Sequence, residues 1–189
     1  MKVLGKSIVV LGLSVLMTGC TPFNNVKMDE LAETLNQENM GNEEVTLETE
    51  NGTFTVFLSE GWREIDPAAL NEEADISLEN GRKTMYAVIL SESSEDYEDF
   101  NTFKNAVDFH DWLDVTDESE QVINQNGWNG TRYFITAKTE GINLYYVYDI
   151  VESSAGHFAQ KIAWTTRSKK NANGELLEEI LDSIKDVSN

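Results

Sequence analysis

Between residues 119 and 165 the chain carries four runs rich in β-branched and aromatic residues, at 119–124, 128–139, 142–152 and 156–165, with short Gly-bearing breaks between them. This pattern constrains the fold more than any other. Breaks of a few residues join only antiparallel neighbours, because a parallel crossover takes a dozen residues or more. The third run, Ile142-Asn143-Leu144-Tyr145-Tyr146-Val147-Tyr148-Asp149-Ile150-Val151, offers apolar or aromatic side chains to both faces. That is the signature of a central strand covered on both sides.

The remaining patterns fit around that meander. Runs at 45–49 and 53–58 flank Glu50-Asn51-Gly52, and Asn-Gly is a strong hairpin signal because both residues tolerate positive φ. A bend at Gly61-Trp62 leads to Asp66-Pro67, an N-cap and first-turn pair for a short helix through Asn71. Runs at 76–79 and 82–90 around Asn80-Gly81 predict a second hairpin. Residues 96–114 switch to helical spacing, with Phe100, Phe103, Val107 and Leu113 near one face. A closing helix is expected at 174–186 from the stripe Leu177, Ile180, Leu181 and Ile184. Two helices with single apolar stripes need a sheet to cover, so the expected class is α+β, a central antiparallel sheet flanked by helices, in one domain over 45–189. The 40% hydrophobic and 10% aromatic content supports such a core despite a formal charge of −20.

The front of the chain reads as an export signal. Lys2 and Lys6 precede an eleven-residue apolar run at 7–17, about 16 Å of helix and therefore short of a bilayer core. Met17-Thr18-Gly19-Cys20 then resembles the bacterial lipobox, with Met17 where Leu is more usual. The resemblance implies cleavage after residue 19 and diacylglycerylation of Cys20, the only Cys of the chain. Two acyl chains on one residue give stable anchoring, which places the protein on the outer face of the cell membrane. A plain secreted protein with a leftover thiol is the competing reading. Residues 20–44, mostly polar, read as a lipidated Cys and flexible tether. Loss of residues 1–19 takes the formal charge to −22. Such a surface repels the phosphate backbone of nucleic acid.

The order of elements in the folded part resembles the PsbP-like proteins, which include the DcrB-type bacterial lipoproteins and share their fold with a eukaryotic Ran-binding nuclear import factor. The likeness rests on Thr53-Phe54-Thr55-Val56-Phe57-Leu58-Ser59-Glu60-Gly61-Trp62, close to the family's early strand and P-x-G-W turn with Ser59 in place of Pro. It rests also on Asn126-Gly127-Trp128-Asn129-Gly130 before a long strand, and on Ile180-Leu181-Asp182-Ser183-Ile184, similar to a terminal I-L-x-S-F helix. The resemblance covers about residues 45–187. It implies an α/β/α sandwich and a binding or assembly protein without catalytic residues.

Chemistry-bearing motifs are sparse. No G-x-S-x-G, H-E-x-x-H, P-loop or G-x-G-x-x-G occurs in the chain, so no enzyme activity and no cofactor are expected. His110 and His157 have no partner spacing that suggests a general base. Charge is more informative, since residues 91–120 hold eleven acids and one base, Lys104. Within them Asp108, Asp111 and Asp114, with Asp117, recur every three residues. On a helix that spacing slips about 60° per step, so the carboxylates fan out rather than converge on calcium. They read as a solvated acidic face and a candidate partner-binding surface. Trp128, in a turn-rich stretch, is the candidate ligand-binding aromatic, although core packing is its ordinary role. Arg167, Lys169 and Lys170 form a small basic cluster. The leading expectation is a membrane-anchored protein-binding or assembly module for a cationic or membrane protein partner. The alternative is a lipoprotein that captures a ligand or metal through an aromatic groove or the acidic face.

Overall fold

The computed structural model describes residues 42–188 apart from Glu60 and Glu140. The signal segment, Cys20 and nearly all of the expected tether lie outside the described residues. Ten strands and two helices follow in the order β1 (Glu43–Thr49), β2 (Gly52–Leu58), β3 (Arg63–Ile65), β4 (Ile76–Asn80), β5 (Met85–Ser93), α1 (Phe100–Ala106), β6 (Asp114–Gln125), β7 (Trp128–Thr139), β8 (Ile142–Ser153), β9 (His157–Thr166), α2 (Lys170–Ser183) and β10 (Lys185–Asp186). Seven strands form one sheet in the order β3-β4-β5-β9-β8-β7-β6, with every described pairing antiparallel. The hairpin β1-β2 pairs with β10 in a second, three-stranded sheet. The class is α+β, as the short Gly-bearing breaks predict.

Each face of the large sheet has its own core. On one face, Tyr145, Val147 and Val151 of β8 and Ala159 and Ala163 of β9 meet Leu177, Ile180 and Leu181 of α2 and Phe54 and Val56 of β2. On the other, Tyr146, Tyr148 and Ile150 of β8 and Phe158 and Ile162 of β9 meet Phe103 of α1 and Phe109. The side chains of β8 thus divide by parity between the two cores, and the strand expected from its composition to be covered on both sides is an interior strand of the sheet, beside the middle strand β9.

The turn between β6 and β7 is Asn126-Gly127, with φ of 54° and 83°. Positive φ at both positions matches the right-handed twist of the strands, as a two-residue hairpin requires. Gly130 permits a close approach of β7 to β8, because a Cβ there would lie 2.1 Å from the Ile150 carbonyl oxygen. In the first hairpin the loop is Glu50-Asn51 rather than Asn51-Gly52, since Gly52 is already paired with Thr49. The Asn51 side chain reaches away from the turn and donates to Ser91 O at 2.6 Å.

Helical structure departs most from expectation. The helix predicted over 96–114 is only Phe100–Ala106, flanked by 3-10 turns at Ser94–Asp96 and Phe109–Asp111. The reason lies in its acids. The Asp99 carboxylate accepts from Thr102 N at 2.7 Å and caps α1, and the Asp108 carboxylate accepts from His110 N at 3.0 Å and caps the next turn. An Asp that captures nearby backbone N–H groups starts a helical turn instead of continuing one. The short helix after Asp66-Pro67 is likewise a single 3-10 turn, Pro67–Ala69, capped by the Asp66 side chain. The closing helix begins and ends earlier than predicted, leaving Lys185–Asp186 to pair with β2.

Candidate functional site

Three mid-strand charges occupy the sheet face beneath α2. Arg132, Asp149 and Lys161 are cross-strand neighbours on β7, β8 and β9. Their side chains are 2%, 0% and 3% exposed, so the row is inside the protein. The Arg132 guanidinium grips Asp149 with two parallel bonds, Nε to Oδ1 at 2.7 Å and Nη2 to Oδ2 at 2.8 Å. Lys161 Nζ sits 3.2 Å from Asp149 Oδ2. From α2, Asp182 accepts from Arg132 Nη2 at 2.7 Å, and Glu178 lies 3.5 Å from Nη1. Burial alone would lower the Arg132 pKa, but the bonds and charges of Asp149 and Asp182 outweigh it and hold the guanidinium ionised. Burial lowers the Lys161 pKa and raises that of Glu178. Asp149 therefore balances two buried cations, and the row seats the helix on the sheet.

The same face finishes α2. The last carbonyls of a helix lack intrahelical partners. Here the Leu181 carbonyl accepts from Lys161 Nζ at 3.1 Å and the Asp182 carbonyl from Asn126 Nδ2 at 2.6 Å. Just past the helix, the Ile184 carbonyl accepts from Trp128 Nε1 at 3.0 Å. A cation at this end also suits the helix dipole. Trp128 is consequently a core residue, 1% exposed, and not the exposed ligand-binding aromatic of the sequence reading. The hairpin turn aims it under the end of α2, where its ring stacks on Phe54 at 6.3 Å and receives Lys161 Nζ at 5.4 Å. Nor do the three tyrosines of β8 make a shared groove, since Tyr145 faces one core and Tyr146 and Tyr148 the other.

Asp108, Asp111 and Asp114 do not share a helix. Asp108 precedes the 3-10 turn, Asp111 lies within it, and Asp114 opens β6 opposite Lys138. All three are exposed. The structure adds a partner that spacing did not show, because His110 bridges Asp108 and Glu118. Its Nδ1 lies 2.6 Å from Asp108 Oδ1 and its Nε2 2.9 Å from Glu118 Oε2, with the ring stacked on Phe109 at 4.3 Å. Two carboxylates facing both ring nitrogens favour the imidazolium, which donates from both. The hydrogen bond to Asp108, aided by Glu118, raises the His110 pKa, and the backbone bond from His110 lowers that of Asp108. From this clamp the acids continue along β6 as Asp114, Asp117, Glu118 and Glu120. The result is an acidic margin that starts at a turn and runs along the sheet edge.

His157 is wired differently. Its Nδ1 lies 2.7 Å from Asp186 Oδ2, and Ser153 Oγ donates to the same oxygen at 2.6 Å. Burial alone would raise the Asp186 pKa, yet bonds from Ser153, Ser188 and His157 hold it below the ordinary carboxylate value. The Ser153 hydroxyl and the His157 ring both point at the Asp186 carboxylate, whereas a nucleophilic relay would need the hydroxyl on the imidazole. The cluster ties β10 to the β8-β9 turn. The basic cluster is also local, with Lys169 Nζ donating to Thr84 Oγ1 at 2.8 Å and Lys170 Nζ 4.6 Å from the Tyr145 ring centroid. Among the described residues, no group of three His, Cys, Asp or Glu side chains is placed to hold a metal ion.

No protein-family model matches the chain, and no curated protein matches it. Solved structures with a similar course include LpqN, involved in cell envelope biogenesis of Mycobacterium tuberculosis, at 10% identity and a TM-score of 0.47, covering 82% of this chain and 95% of that one. Cyanobacterial PsbP (CyanoP) from Synechocystis gives 11% identity and a TM-score of 0.37, with 77% and 92% covered. A protein from Bacteroides thetaiotaomicron gives 12% identity and a TM-score of 0.46, with 72% of this chain covered. This chain spans 46% of the length of that protein. At such identities and TM-scores none of these likenesses says what this chain does.

Proposed function

We propose that the protein is a lipid-anchored, extracytoplasmic docking module, without catalytic activity of its own, that holds a cationic protein partner at the membrane surface. The observation that carries this reading is the acidic margin from Asp108 to Glu120, whose acids are exposed and borne by the turn at Phe109–Asp111 and by the edge strand β6. A single-sign surface of this kind steers an oppositely charged partner and selects against acidic ones. Anchoring rests on Met17-Thr18-Gly19-Cys20 and the apolar run before it. The buried row fits a positioning role, because Asp149 is already saturated by Arg132 and Lys161.

Crosslinking of the native protein in its own membrane tests the reading. One stoichiometric partner should be recovered, and the triple substitution Asp108→Asn, Asp111→Asn and Asp114→Asn should reduce that recovery with unchanged urea unfolding. Undiminished recovery at physiological salt removes the acidic margin from consideration. Mass spectrometry of the extracted protein should show residue 20 as the N-terminus with a diacylglyceryl group, and Cys20→Ser should release the protein from the membrane.

A further inference from the structure

The seven-stranded sheet ends on very different strands. β3, at one end, has three residues, whereas β6, at the other, has twelve. β6 pairs with β7 on one side only, and among the described residues no strand lies beyond it. Its register is irregular between Val115 and Asp117 and then continuous to Gln125. Beyond the irregularity, nine residues from Asp117 to Gln125 present a regular outer edge about 30 Å long. Alternate N–H and C=O groups of such an edge point away from the sheet and can pair with another strand.

Side chains decide what can pair there. Glu118, Glu120 and Val122 alternate along one face, opposite Ile135, Tyr133 and Thr131. Val122 is 87% exposed, an unusual place for a β-branched apolar side chain. The nine residues hold Asp117, Glu118 and Glu120 and no base. The nearby base on that side, Lys104, is directed to Thr131 Oγ1 at 3.1 Å and to the Tyr133 ring. Glu118 is held by His110, and Glu120 has no ion-pair partner among the described residues. Acids on an edge normally guard against self-pairing. Two copies of this edge repel each other, while a strand with bases opposite Glu118 and Glu120 is attracted.

We infer that the outer edge of β6 docks a basic, extended segment of a partner protein as an eighth strand. The recognised segment carries two Lys or Arg at alternate positions opposite Glu120 and Glu118, and an apolar residue two positions further on, opposite Val122. The backbone ladder supplies attachment, the acids choose the sign of the partner, and Val122 fixes the register. This inference rests on the docking reading above and adds the mode of attachment.

The test uses the full-length chain and two seven-residue probes at about 150 mM salt, where the Debye length is near 8 Å. They are acetyl-Thr-Val-Thr-Lys-Thr-Lys-Thr-amide and its reversed sequence, which cover both strand directions. A copy of each is N-methylated at alternate backbone amides. One unmethylated probe should bind by isothermal titration calorimetry and slow hydrogen exchange at alternate amides within 117–124. Methylation should weaken that binding at least tenfold, because it removes ladder donors without changing charge. The double substitution Glu118→Lys and Glu120→Lys, at exposed positions, should do the same. Equal binding of the methylated probe, protection elsewhere, or no binding of either probe overturns the eighth strand. If any of these occurs while the native crosslinked partner still depends on Asp108, Asp111 and Asp114, the docking reading stands and only the strand mode fails.

Discussion

Two clusters in this molecule use the same groups in opposite surroundings. Beneath α2, Arg132, Asp149 and Lys161 are sealed from water, and each charge answers another within about a hydrogen-bond length. Beside β6, His110 stands between Asp108 and Glu118 with all three side chains about half exposed. Water screens the second cluster, so its pairs contribute little to folding and its acids remain available to a partner. The first is closed to solvent, so the loss of one member removes a neutralising partner that solvent cannot replace. The formal charge of the chain says nothing about this distinction, because burial decides what each charge is worth.

The sharpest way to break the comparison is Asp149→Asn. It leaves buried Lys161 without its carboxylate partner and Arg132 with only Asp182 and Glu178, and should lower unfolding free energy by about 3–5 kcal/mol in urea titration. A loss under about 1 kcal/mol would mean that solvent reaches the row. Exchanging the three residues together for Met, Leu and Met should instead be close to neutral, since a well-packed apolar row needs no charge balance.

Trp128 gives a second effect of similar size at the rim of the same cluster. Trp128→Ala should cost about 3–5 kcal/mol through the cavity left beside Phe54. Trp128→Phe keeps much of the stacking and loses the bond to the Ile184 carbonyl, for about 1–3 kcal/mol. Comparison of the two melting temperatures separates packing from capping.

Acid should reveal the ties of β10. Asp186 has a folded pKa below its unfolded value, so its stabilisation is complete above the unfolded value and is lost as pH falls through the folded one. Asp186→Asn should flatten the acid limb of the stability profile, and an unchanged limb would show that the tie to His157 and Ser153 carries no linkage.

The smallest effect belongs to His110. Its folded pKa is raised, so the clamp contributes fully below the ordinary imidazole value and loses that contribution as pH rises through the folded value. His110→Gln should change stability by less than about 1 kcal/mol and abolish that alkaline-side step. Proton NMR of the imidazole checks the direction, since a midpoint at or below the value in a model peptide would contradict the clamp.

Much of the fold was legible because strand signals here are local. The β7 run at 128–139 coincides with the observed strand, and the Gly-bearing breaks mark turns where Asn126 and Gly127 supply positive φ. Residues 96–114 carry the apolar spacing of one helix, but side-chain capping outweighs that spacing. Asp99 and Asp108 divide that stretch into separate turns, a competition already visible in the residue types. For the site, the exposed acids are legible from composition, but the imidazole that joins Asp108 and Glu118, ten residues apart, is not. A signal for the buried row was present, since an acid inside the apolar run around Tyr148 and Ile150 must have a partner. Which partner it has depends on the alignment of β7, β8 and β9.

By itself, the sequence determined the antiparallel connectivity, the doubly covered interior strand and the excess of acid over residues 91–120, for these follow from turn chemistry, periodicity and composition. Tertiary structure alone decided which charges are buried and which face solvent. Strand register sets Asp149 between Arg132 and Lys161, the end of α2 closes over Trp128, and the open side of β6 keeps its acids in water. Register and docking are long-range contacts, and a charge takes its energy from the dielectric around it, which no window of neighbouring residues contains.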